Sequence, residues 1–200
     1  MPIESNPATR SHPPPRPCID RWIVVISGFL QDEGKPTGMV GLWATLHHMV
    51  SGPSTRVELR SWHDDWNAVA EFIWRQRTNG NGVDVVICAY SWGGPSAMEL
   101  ARQLGRRGIA VRHMVLADPV YRLRWALWRV FFRWPKIRVP KNVRRVTWFR
   151  QHRDWPEGHD LVAEDRGMTD IEAPTVLDCG HTYVDDSPQF HAACRKITRG

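Results

Sequence analysis

In "VVICAYSWGGPSAMELARQL" (residues 85–104) an apolar run stops at Ser91, and a helical pattern begins almost at once. Ala89 and Gly93, two places on either side of the serine, are small, as a sharply strained turn requires. Such a turn projects the hydroxyl outward. It also sets the following amide, that of Trp92, at the head of a helix, where it can donate to an oxyanion. A serine hydroxyl is a weak nucleophile at neutral pH. It needs an aligned base, and the base needs a carboxylate to orient it.

The candidate partners differ in where they fall. His181, in "LDCGHTYVDDSP", lies between the last predicted strand and the last predicted helix. His47 and His48 lie on a predicted helix, His113 enters a strand, and His191 lies inside the final helix. Asp154, in "RQHRDWPEG", follows one predicted strand, and Asp118, in "LADPV", follows the strand before it. Asp178, Asp185 and Asp186 crowd near His181 and read as helix caps or solvated loop residues. "HDD" at 63–65 reads as helix capping and a solvated strand end. No CxxC or HxxxH spacing occurs, so no metal site is expected. Walker-type and GxGxxG fingerprints are also lacking, and no cofactor is expected.

The elements that must hold these residues alternate in type. β-Branched or alternating runs at 21–29, 55–62, 83–91, 110–120, 142–151 and 173–182 predict about six strands. Helical spacing predicts helices near 38–52, 64–82, 95–108 and 187–197. Strands alternating with helices imply an α/β fold of three layers, a mostly parallel sheet with helices on both faces. Ligands of such sheets meet the loops at the carboxyl ends of the strands, which is where Ser91 falls.

With that context, "AYSWGG" resembles the nucleophile elbow of the α/β-hydrolase family in its Ala-x-Ser-x-Gly variant, and the likeness runs from Arg21 to the C-terminus. The resemblance implies a compact serine esterase, lipase or thioesterase-like enzyme. Ser91 would be its nucleophile and His181 its base. Asp154 is taken as the acid, with Asp118, where some members carry it, as the alternative. "VVISGFLQDEG" resembles the family's oxyanion loop with Ser27 in place of the usual His, which implies a second donor from the Phe29 or Leu30 amide beside that of Trp92. The expected reaction is hydrolysis of a carboxylic ester or thioester through an acyl-enzyme, with lipid or acyl esters favoured. The alternative is a non-catalytic binding module of the same fold.

Charge supplies that alternative. Of the net +6, residues 121–150 alone carry +10, with ten Arg or Lys and no acid, leaving −4 for the rest. Within it Tyr121, Trp125, Trp128 and Phe132 share one helical face, with Arg122, Arg129 and Arg133 on another. Three readings stay open for this insert (119–142): a packed crossover helix, a lid touching substrate or anionic lipid through Trp125, Trp128 and Phe132, or a grip on nucleic acid. Residues 1–18, with five prolines between 7 and 17, read as a flexible lead-in to a single domain over 19–200. No run has the length of a membrane span or the pattern of a signal peptide, and Cys18, Cys88, Cys179 and Cys194 read as free thiols. A cytoplasmic protein is expected.

Overall fold

The computed structural model describes residues 19–29, 31, 37–77, 82–121 and 136–199. The expected lead-in (1–18) and Trp125, Trp128 and Phe132 of the insert lie outside the described residues. In chain order the elements are β1 (Arg21–Ile26), α1 (Gly38–Val50), β2 (Thr55–Arg60), α2 (Trp66–Gln76), β3 (Asp84–Tyr90), α3 (Gly93–Arg106), β4 (Val111–Ala117), β5 (Ile137–Val139), β6 (Val143–Arg150), β7 (Leu161–Ala163), β8 (Asp170–Ile171), β9 (Thr175–Val176) and α4 (Pro188–Arg199). Among the described residues the main sheet has seven strands in the order β2-β1-β3-β4-β6-β8, with β9 also on β6. Every pairing in it is parallel.

Central strands of a parallel sheet bury both faces, and β1 shows the consequence. Trp22, Val24 and Ile26 pack with Val69 and Ile73 of α2 and Met98 and Leu100 of α3. Ile23 and Val25 pack on the opposite face with Met39, Leu42 and Leu46 of α1 and Phe190 of α4. Alternation along one strand therefore feeds two cores, as the period of 2 requires. Helices α2 and α3 cover one face and α1 and α4 the other, giving the three layers expected. Asp65 caps α2 by accepting from the Asn67 and Ala68 amides, and Thr37 caps α1.

Around this frame are short elements with no counterpart in the sequence reading. β5 and β7 form a two-stranded parallel ribbon, and β8 adds two residues beside β6. The last strand expected over 173–182 is only Thr175–Val176. Among the described residues no helix is long and apolar enough to cross a membrane.

Candidate active site

Ser91 stands between β3 and α3 with φ of +51°, a conformation that L side chains adopt rarely. Its backbone is pinned from two directions. The amide donates to the Ala117 carbonyl at the end of β4, and the carbonyl accepts from Gly94 and Val120. The two glycines that follow answer to close approach. A Cβ on Gly93 would lie 2.9 Å from the carbonyl oxygens of both Ile26 and Ser27, and one on Gly94 would lie 2.6 Å from the Pro119 side chain. The first turn of α3 thus seats against the end of β1 on one side and the loop after β4 on the other.

His181 opens a short 3-10 turn, His181–Tyr183, after β9. Its Nε2 is 2.9 Å from Ser91 Oγ, and its Nδ1 is 2.6 Å from Asp118 Oδ2. A proton on Nδ1 facing the carboxylate leaves the Nε2 lone pair to accept from the serine hydroxyl. Tyr90 packs its ring 5.2 Å from the imidazole and donates its hydroxyl to the His181 carbonyl. Burial, with nearby carboxylates led by Asp185, pushes the Tyr90 phenol far above its usual value, so it stays a donor.

The carboxylate on the imidazole is Asp118, not Asp154. Asp118 follows β4 directly, with φ of +41°, and is wholly buried. Its Oδ1 accepts from the Gly158 and Gln151 amides. Asp154, four residues past the end of β6, is carried beyond the ring and accepts instead from the His181 backbone amide at 2.6 Å. Because β4 and β6 are neighbours, both aspartates reach the same histidine, through different atoms.

Of the amides named for an oxyanion, those of Phe29 and Trp92 make no hydrogen bond among the described residues, and Leu30 lies outside those residues. The adjoining Gly28 amide is occupied, donating to Gln31 Oε1. Gln31 in turn donates to Asp185 Oδ2. Asp185 is buried, which corrects its reading as a solvated loop or capping residue, and burial pushes its carboxyl up to about 6. The hydroxyl at the start of α4 that accepts from a helix amide belongs to Ser187. His113 bonds Thr147, and His191 bonds the Asp185 carbonyl, both away from the serine.

Beside Ser91 lies an aromatic group missed in the sequence. The Phe29 and Trp92 rings are 4.4 Å apart, and Trp62, from the loop after β2, packs edge-on to both at 5.7 and 5.2 Å. Phe29 remains 46% exposed. Gln151, also missed, carried no local signal, since a lone Gln after a strand is ordinary.

No family model and no curated protein matches the chain. Among solved structures it is similar to RedJ with a polyethylene glycol molecule bound in the active site, at 16% identity, with 100% of this chain and 95% of that one covered and a TM-score of 0.51. It is also similar to the RedJ thioesterase from the prodiginine biosynthetic pathway in Streptomyces coelicolor, at 14% identity, 100% and 96% coverage and a TM-score of 0.50. Likeness over the whole length at such low identity is a likeness of fold, and with the parallel sheet and the strand–serine–helix turn it makes this chain one of α/β-hydrolase fold.

Proposed function

We propose that this chain is a serine hydrolase that cleaves carboxylic esters or thioesters through an acyl-enzyme. The observation that carries the reading is the hydrogen-bonded series Ser91–His181–Asp118 at the carboxyl ends of β3 and β4. In the first half-reaction Ser91 Oγ attacks the carbonyl carbon as its proton passes to His181 Nε2. Asp118 steadies the resulting imidazolium, and the amides of Phe29 and Trp92 receive the oxyanion. Collapse expels the alcohol or thiol, which takes the proton from Nε2. Water then enters by the same route in reverse, releasing the acid and restoring Ser91.

The Phe29, Trp62 and Trp92 rings favour an apolar group next to the scissile bond, and a thioester substrate accords with the thioesterase named among the structures of this fold. Trp125, Trp128 and Phe132 belong to the same proposal, as apolar contacts to substrate or to anionic lipid.

A fluorophosphonate probe tests the reading. The expected result is labelling that disappears in Ser91→Ala, together with a fall in ester hydrolysis of roughly 10⁶-fold. A folded protein that fails to label, or a Ser91→Ala variant that still turns over p-nitrophenyl esters or acyl thioesters at the parent rate, overturns it.

A further inference from the structure

Asp118 and Asp154 stand on separate loops, and one side chain touches both. Gln151 is wholly buried. Its Nε2 donates to Asp118 Oδ2, the oxygen that also receives His181 Nδ1, at 3.2 Å. The same nitrogen reaches the carbonyls of Asp154 at 2.8 Å and Pro156 at 3.0 Å. Its Oε1 accepts from the amides of Arg153 at 2.6 Å and Asp154 at 2.9 Å. The residue thus uses both ends of its amide to shape the loop that presents the Asp154 carboxylate to the His181 backbone.

Two glycines are the imprint of this arrangement. A Cβ on Gly180 would run into the Asp154 carboxylate, and one on Gly158 would run into that of Asp118. Each aspartate closes over a glycine to reach its donor.

We infer that Gln151 and Asp154 are positioning residues for His181: Asp154 fixes its backbone while Gln151 fixes Asp154 and shares the Asp118 oxygen with the imidazole. The inference rests on the triad reading above. Its consequence for basicity has a sign. A donor competing for Asp118 Oδ2 draws negative charge from the imidazole, so removing it leaves more charge to stabilise the imidazolium and raises the basicity of His181. The other titratable groups about this histidine are Tyr90, against its ring and carbonyl, Asp178 and Cys179 before it on its own loop, and Asp185 and Asp186 after it.

The test uses the full chain with Asp154→Ala, Asp154→Asn and Gln151→Met, and Asp118→Asn as the reference for loss of the charge on the imidazole. It combines pH profiles of kcat and KM on a p-nitrophenyl ester with an NMR titration of the His181 ring, which reads the histidine whether or not the ester turns over. Asp154→Ala is expected to lower kcat by roughly 10- to 100-fold at unchanged KM, the range for losing a hydrogen bond to a charged group. Asp154→Asn, which keeps an oxygen for the amide, is expected to recover most of that loss. Gln151→Met is expected to move both the acid limb and the His181 titration to higher pH. If Asp154→Asn loses as much as Asp118→Asn, Asp154 acts by charge and the positioning role fails. An unshifted His181 titration in Gln151→Met overturns the role of Gln151. Should the parent fail to label with the fluorophosphonate and hydrolyse neither ester nor acyl thioester, the triad reading fails, and the titration still decides the role of Gln151.

Discussion

Ser91 and Asp118, with φ of +51° and +41°, are the non-glycine residues of positive φ among the described residues, and both bond His181. Strain held at two of three linked residues is how a scaffold aims side chains that relaxed geometry would point elsewhere. It has a consequence for stability at position 91. Ala ordinarily outperforms Gly because it restricts the unfolded chain, by about 0.4–1 kcal/mol. At positive φ that order reverses. Ser91→Gly should therefore be more stable than Ser91→Ala by about 1 kcal/mol, although both lack the hydroxyl. Urea midpoints of the two variants check this, and an Ala variant at least as stable as the Gly would mean that the elbow is not strained.

At the scale of elements, the strands and helices that carry the site were legible because each has a strong period. β3 beyond Asp84 and β4 beyond His113 are unbroken apolar runs, and α2 shows its face through Trp66, Val69 and Ile73. β5, β7 and β8 were not legible, since two or three residues such as Asp170–Ile171 carry no period at all. Gly93 reads in the sequence as the small residue of a strained turn, and the structure adds that Gly93 and Gly94 lie inside α3 and serve its packing. Two opposed substitutions follow. Gly41, exposed on α1, has nothing within 4 Å of a built Cβ, so Gly41→Ala should stabilise by up to about 1 kcal/mol through helix propensity. Gly93→Ala gains the same propensity but drives a methyl to 2.9 Å from two backbone carbonyls that cannot yield. Overpacking of about 1–3 kcal/mol outweighs the gain, and Gly93→Ala should destabilise. Denaturant unfolding of the pair reads both signs, and a stabilised Gly93→Ala would refute the seating of α3 on β1.

Over the whole molecule, what the sequence withheld is what depends on strand order. Asp118 and Asp154 each follow a strand and precede His181, so chain order does not separate them and only the resemblance favours Asp154; the adjacency of β4 and β6 brings both to one histidine and gives each a different atom. Asp185 is the other case, a loop carboxylate by sequence that the fold buries among the Gln31 side chain, the Met39 amide at the start of α1 and the turn leading to α4. Its Oδ1 has no hydrogen-bond partner among the described residues. Burial lifts its carboxyl from 3.8 to about 6, so between those values the folded chain binds the proton that the unfolded chain has released. Stability from this group is therefore full below pH 4, declines as pH rises to 6 and stays reduced above it, by on the order of 2–3 kcal/mol. Asp185→Asn keeps an oxygen for Gln31 and removes the charge. It should match the parent at pH 4 and exceed it in stability at pH 7.5. Because every other titrating group is common to the two proteins, the difference between their melting temperatures across that range isolates Asp185. A difference that stays constant with pH would mean that this carboxylate is not the costly one.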